Sequence, residues 1–142
     1  MPIVVIAKDQ ADFEQWVAQE AATQAAAKAE EQKLLSMNMS KEELMALGEK
    51  TYMGYCAACH QPTGMGIPGV FPALKGSAIV NGSSQELIDL LLKGRKGKDG
   101  SAMPAFSFLK DEEMRALINY IRNSWGNKAA SVNKEIIFQK RS

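Results

Sequence analysis

A chain of 142 residues, 46% hydrophobic but only 7% aromatic, has material for one modest core and an appended segment. Its net charge of +1 gives no global pull toward nucleic acid or a membrane surface. That charge is unevenly placed: three Lys and Arg stand against six Asp and Glu in residues 1–39, and fourteen against ten from residue 40 on. An acidic first part therefore precedes a basic second part.

No run approaches the ~20 apolar residues of a membrane span. The opening "MPIVVIAKDQ" has neither the basic flank nor the apolar length of a signal peptide. Within it, "PIVVIA" reads as one short strand that needs a partner. From Asp9 to about Leu35 the composition turns to Ala, Gln, Glu and Lys, which predicts a helix. Phe13, Trp16 and Val17 give it an apolar patch. Beyond them no large stripe continues, so the helix reads as a solvated linker rather than a core element.

At Ser40 the pattern changes. "SKEELMALGEKTYMGYC" opens with a capping box, Ser40 and Glu43, and sets Leu44, Leu47, Gly48 and Tyr52 along one helical face. "QPTGMGIPGVFPALKGS" follows as a loop punctuated by Gly and Pro. "SSQELIDLLLKG" predicts a second helix, capped by Ser83 and Glu86 and stopped near Gly94. "RKGKDGSAMPAFSF" reads as another loop. "DEEMRALINYIRNSWGN" predicts a third helix with Met114, Leu117, Ile118, Ile121 and Trp125 as its stripe and Gly126 as its stop. Residues 128–142 carry no clear assignment. So much loop around three helices calls for a staple, a metal or a large apolar cofactor.

"YCAACHQPTGMG", residues 55–66, holds both cysteines, Cys56 and Cys59, and the only histidine, His60. Structural zinc wants four ligands, and three are present. A redox dithiol belongs at the head of a helix in a βαβ unit, whereas this one closes a helix. An incidental disulfide would leave His60 idle. Cys-X-X-Cys-His as a haem attachment signature uses all three: two thioethers from Cys56 and Cys59, and His60 as the proximal iron ligand. A sixth ligand must come from the other haem face. Met65, five residues past His60, is too tightly tethered. Met103 lies in a distant loop closed by Pro104, which holds the preceding residue extended. The other methionines, Met37, Met39, Met45, Met53 and Met114, read as packing residues.

With those residues in place, 40–127 resembles a class I cytochrome c domain. The resemblance implies an all-α fold, a small cytochrome c of three to four helices wrapped around one covalently bound haem c. It also implies roles for further residues. Gly48 and Tyr52 match the glycine and aromatic where the first helix crosses the last, with Leu117 and Tyr120 as their partners. Pro72 matches the proline whose carbonyl accepts a hydrogen bond from the proximal histidine Nδ1–H. Met103 matches the axial methionine, and Trp125 an aromatic usual in the bacterial branch. Iron ligated by both His60 and Met103 has no open position, so the expected activity is one-electron transfer without catalysis of its own. Thioether ligation and an apolar shell (Phe71, Leu74, Leu91, Leu92, Phe106 and Phe108) favour Fe(II) and a positive potential. Lys93, Arg95, Lys96 and Lys98, just before Met103, form a candidate docking loop for an acidic partner.

"MPIVVIAKDQADFEQWVAQ" resembles the C-terminal end of the copper-binding domain of cytochrome oxidase subunit II, which a cytochrome c domain follows in caa-type oxidases. Met1 then matches a copper-ligand methionine. The cysteines and histidines that precede it in that family are not in this sequence, so no copper is expected. The resemblance implies a fragment in three parts: residues 1–39 with strand and linker helix, 40–127 as the cytochrome c domain, and 128–142 as a tail. It implies an electron donor upstream (a cytochrome bc complex or a soluble cytochrome), and the oxidase copper domain and subunit I as partners. Nucleic acid is not expected, and the membrane is met only through the parent protein, at the periplasmic or outer face of the bacterial inner membrane. The alternative is a free or otherwise tethered periplasmic cytochrome c shuttle.

Overall fold

In the computed structural model, residues 9–36, 39–98 and 100–142 are described, with the backbone alone for 29–36. The strand expected over residues 2–7, together with Met1 and Met37, lies outside the described residues. The chain divides into two units, Met1–Asn38 and Met39–Ser142.

The first unit contains α1 (Gln10–Ser36). Asp9 caps it, Oδ1 accepting the Asp12 N–H at 2.8 Å. Every described side chain on α1 is exposed, including Phe13 and Trp16, whose rings sit 6.2 Å apart. Its described side chains form no core of their own.

The second unit is built on two crossing helices, α2 (Lys41–Tyr55) and α6 (Asp111–Arg122). Between them lie α3 (Ala57–His60), α4 (Ala78–Asn81), α5 (Ser84–Lys93) and a two-residue hairpin, β1 (Arg95–Lys96) with β2 (Ala102–Met103). Helix α7 (Lys134–Arg141) completes it. Ser40 and Glu43 form the expected capping box on α2: Ser40 Oγ accepts the Glu43 N–H at 3.2 Å, and Glu43 Oε2 accepts the Ser40 N–H at 2.9 Å. The core gathers Tyr52 from α2, Leu87, Ile88 and Leu91 from α5, Met114, Leu117, Ile118 and Ile121 from α6, and Ile137 from α7. Gly48 makes the crossing possible. A Cβ there would stand 2.6 Å from Tyr120 Cβ and closer still to the Ala116 carbonyl oxygen.

Several boundaries differ from the sequence reading. Two single turns, α3 and α4, add to the three expected helices: α3 continues from the end of α2 as a separate turn, and α4 forms in the short stretch between the first loop and the second expected helix. Ser83 stands at the N-cap of α5, but its side chain makes no capping bond. Helix α6 ends at Arg122, before Trp125. Asn123 leaves the helical conformation, and Trp125 adopts φ 55°. The carbonyl of Ile121 is taken instead by the Asn127 side chain, at 2.9 Å. Residues 128–142 belong to the second unit, with α7 docked through Ile137, a 2.7 Å Lys140–Asp89 ion pair and a 2.8 Å Arg141–Asp111 pair. The Lys140 hydrogen bond holds the Asp89 carboxyl below its ordinary value. Met114 is fully buried as expected of a packing residue; Met53 is half exposed.

Three buried polar side chains organise the loops around α6. Asn119 clasps Val132 through both its oxygen and its nitrogen, at 2.8 and 2.9 Å. Arg122, its pKa pushed down by burial, donates to the carbonyls of Val80, Gly82 and Ala130. Asn127 donates to Leu74 O and Ile121 O and accepts from Gly76 N and Asn81 Nδ2. Removing it strands several groups at once. Asn127→Leu is therefore expected to lower stability by about 3 kcal/mol, read as a lower urea midpoint with unchanged slope.

Candidate functional site

The end of α2 hands the chain directly to α3. Cys56 is both the C-cap of one and the N-cap of the other, its N–H donating to Tyr52 O at 2.8 Å while its own carbonyl accepts from His60 N at 2.9 Å. This single turn places Cys56, Cys59 and His60 together. Both cysteines are free thiols, Cys56 buried and Cys59 exposed. Burial, then the neighbouring Cys59, pushes the Cys56 thiol up to about 11, so it stays protonated at neutral pH.

His60 is 8% exposed, and its Nδ1 lies 2.8 Å from the Pro72 carbonyl oxygen. A carbonyl can only accept, so Nδ1 carries the proton and Nε2 keeps its lone pair for a metal. The loop from 61 to 75 is bent to permit this. Gln61 turns back at φ 64°, held by the Tyr52 hydroxyl, which donates to its carbonyl at 2.6 Å. Gly66 N–H donates to His60 O at 2.8 Å, and Leu74 and Lys75 both donate to Gly64 O. Gly66 has φ 63°, and a Cβ there would stand 2.6 Å from Pro72 O, the acceptor of the histidine bond.

An aromatic trio backs the loop. Trp125 lies over Gly64, donates from Nε1 to Pro62 O at 3.1 Å, and packs its ring 5.0 Å from Tyr52 and 5.6 Å from Tyr120. The left-handed turn at Trp125 delivers the indole to that position. Burial raises the Tyr52 hydroxyl well above its ordinary pKa, so it remains a donor.

Met103 comes from a different element. It sits in β2 opposite Arg95, half-buried and packed against the core. Gly94, at φ 71°, brings the chain so close that a Cβ would meet Met103 O at 2.5 Å. Phe106 N–H donates to Leu91 O at 2.7 Å on the far side. The methionine therefore rides a strap pinned near both ends. Met65 instead is exposed on the rim of a cleft of about 460 Å³ lined by Met65, Pro68, Gly69, Val70, Phe71, Pro72 and Ala73.

The docking candidates lie on or beside the hairpin: Arg95 and Lys96 form β1, Lys98 is exposed in its turn, and Lys93 sits 3.8 Å from Asp89. Of the expected apolar shell, Leu91 and Phe106 are buried, Phe71, Leu74 and Leu92 half-buried, and Phe108 is 63% exposed. Phe108 joins Tyr55 (5.4 Å) and Phe106 (5.9 Å) in an aromatic cluster beside Cys56. Sequence reasoning passed over Tyr55, although it stands three residues after Tyr52 and seven after Gly48 on the same face of α2. It also passed over Asn127, which has no periodic signal; its place one residue after the Gly126 stop was the available hint.

These residues fit a haem c. The donor set is two unpaired thiols and an imidazole with its tautomer set, and the neighbouring cleft is lined by apolar side chains. Residues 43–121 match the family described as "Cytochrome C oxidase, cbb3-type, subunit III". Cytochrome c-552 from Thermus thermophilus is 41% identical over 56% of this chain and 69% of its own length, and a second cytochrome c-552 of that species matches over 61% of its length. The cytochrome c subunit of the quinone alcohol dehydrogenase of Gluconacetobacter polyoxogenes is 33% identical over 58% of this chain, a match that spans 19% of that subunit. The crystal structure of the c-type cytochrome XoxG from Methylobacterium extorquens superposes with a TM-score of 0.48 at 24% identity, over 69% of this chain and 65% of that one. The assignment rests on the sequence matches: the chain belongs to the cytochrome c family, an electron-transfer protein with one covalent haem c.

Proposed function

We propose that Cys56 and Cys59 would hold the haem through thioethers, that His60 Nε2 and Met103 Sδ would ligate its iron, and that the chain relays single electrons to the dinuclear copper centre of a terminal oxidase. Bound in this way, the haem supplies a one-electron Fe(III)/Fe(II) couple. The chain's own work is positional. Pro72 O holds the Nδ1 proton of His60 and keeps the ring in one tautomer and orientation. The apolar loop around residues 65–73 keeps water away, and Met103 fills the position a substrate would otherwise take. The observation that carries electron transfer over haem catalysis is the pinned strap that presents Met103.

The oxidase as acceptor is supported by the family description, which names a terminal oxidase, and by the likeness of residues 1–19 to the end of an oxidase copper domain. The basic hairpin with Arg95, Lys96 and Lys98 steers the encounter with an acidic partner. The site of action is the periplasmic side of the bacterial inner membrane. A second reading, a shuttle serving a dehydrogenase, is favoured by the relatives named as cytochrome c subunits of quinone and gluconate dehydrogenases. Stopped-flow mixing of the reduced, haem-loaded chain with a soluble oxidase copper domain separates them. Rapid oxidation that slows steeply with added salt is expected. No transfer to copper, with ready reduction by a quinone dehydrogenase, would establish the shuttle instead.

A further inference from the structure

The last turn of α7 sets two cations side by side, and each reaches a different root of the Met103 strap. The strap's described residues are 94–98 and 100–110, between the end of α5 and the start of α6. Lys140 Nζ lies 2.7 Å from Asp89 Oδ2 on α5. Arg141 Nε lies 2.8 Å from Asp111 Oδ1 on the first residue of α6, and its terminal nitrogens donate to Ser107 O at 3.0 Å and to Leu109 O. These four charged side chains are 20–35% exposed, so salt screens them less than it screens a free surface pair. Ile137, wholly buried, seats the helix, and Asn133 caps it.

The strap holds itself weakly. Gly97 and Gly100 interrupt it, its ladder is two residues long, and every described residue from 95 to 105 except Met103 is exposed. Further restraint comes at its roots, and α7 reaches both.

We propose that α7 is a brace that keeps this strap closed, with Arg141 as a positioning residue for the Met103 thioether. The proposal rests on Met103 being the axial ligand. The guanidinium serves a carboxylate and two carbonyls from three separate nitrogens; an ammonium, with its donors on one nitrogen, does not span the same acceptors. Breaking the fork frees the 107–109 segment, and the strap then swings out more often without the core unfolding.

Imidazole titration of the ferric, haem-loaded full chain tests this, because imidazole enters only when Met103 leaves. The readout is the weak red absorption band of iron–thioether ligation. Arg141→Gln is expected to bind imidazole about tenfold more tightly than the parent, the scale of one charge-assisted hydrogen bond. Arg141→Lys should recover part of that difference. Ser40→Ala, which removes the α2 cap, should lower the thermal midpoint and leave imidazole affinity alone. Equal affinity in the parent and Arg141→Gln overturns the brace while leaving the ligand reading intact. A parent protein without the red band overturns the ligand reading. In that case amide exchange at Phe106 and Leu109, expected to quicken in Arg141→Gln, still reads the brace, and unchanged exchange overturns it. Should Arg141→Gln fail to fold, Lys140→Gln replaces it in both measurements.

Discussion

Met103→Ala is expected to abolish the red ferric band, to let the ferrous protein bind carbon monoxide stoichiometrically, and to lower the reduction potential by roughly 100 mV or more. Each tenfold loss of preference for Fe(II) is worth about 59 mV in a one-electron couple, and on the proposed ligation the substitution removes the ligand that favours Fe(II) most. The fold should survive, because Met103 is only half-buried and its neighbours in the hairpin are exposed. Met65→Ala supplies the contrast. Met65 sits exposed on the rim of the loop cleft, and its loss should leave the band, the potential and carbon monoxide exclusion unchanged. The reverse pattern, with Met65 essential and Met103 silent, would require a different sixth ligand and a different path for the loop around it.

Gly48→Ala is expected to destabilise the second unit by about 2 kcal/mol or more, with a lower urea midpoint. Two effects compete. Alanine improves helix propensity by about 1 kcal/mol relative to glycine. Against that, the new methyl group would overlap Tyr120 Cβ, at 2.6 Å, and the Ala116 carbonyl oxygen. One is the root of a side chain and the other is backbone, so neither can rotate away, and the helices must part. Parting them loosens Tyr52, Leu117 and Tyr120 together, so overpacking wins. Gly54, on the same helix, has nothing within 4 Å of its would-be Cβ. Gly54→Ala keeps the propensity gain alone and should stabilise by about 0.5–1 kcal/mol. Opposite signs from one substitution type on one helix would separate packing from propensity directly.

The two substitutions also mark how the molecule divides its labour. The α2–α6 crossing makes the rigid part, and the attachment turn is its direct continuation, since Cys56 closes α2. The histidine loop is held by backbone bonds to Gly64 and His60 and by the aromatic trio. The methionine strap has fewer restraints of its own. On the proposed ligation, loss of the Met103 thioether is accordingly expected at lower cost than loss of the histidine.

What the sequence by itself determined follows from short-range chemistry. Ser40 with Glu43 specified where α2 begins, the apolar spacing of α6 identified its buried face, and the spacing of Cys56, Cys59 and His60 pointed to a haem attachment turn. A one-turn motif carries its geometry with it, because residues that close along the chain are close in space. The tertiary structure decided the rest. Trp125 looked like the last member of a helical stripe, yet only the packing of its indole on Gly64 and Tyr52 required the chain to turn left-handed there. Residues 128–142 showed no pattern, because α7 is short and is stabilised by Ile137 and by ion pairs to Asp89 and Asp111, distant in sequence. Asn127 gained its role from four groups in three separate segments. Long-range pairings of this kind leave no periodic trace, since each partner is an ordinary polar residue until the fold brings the others to it.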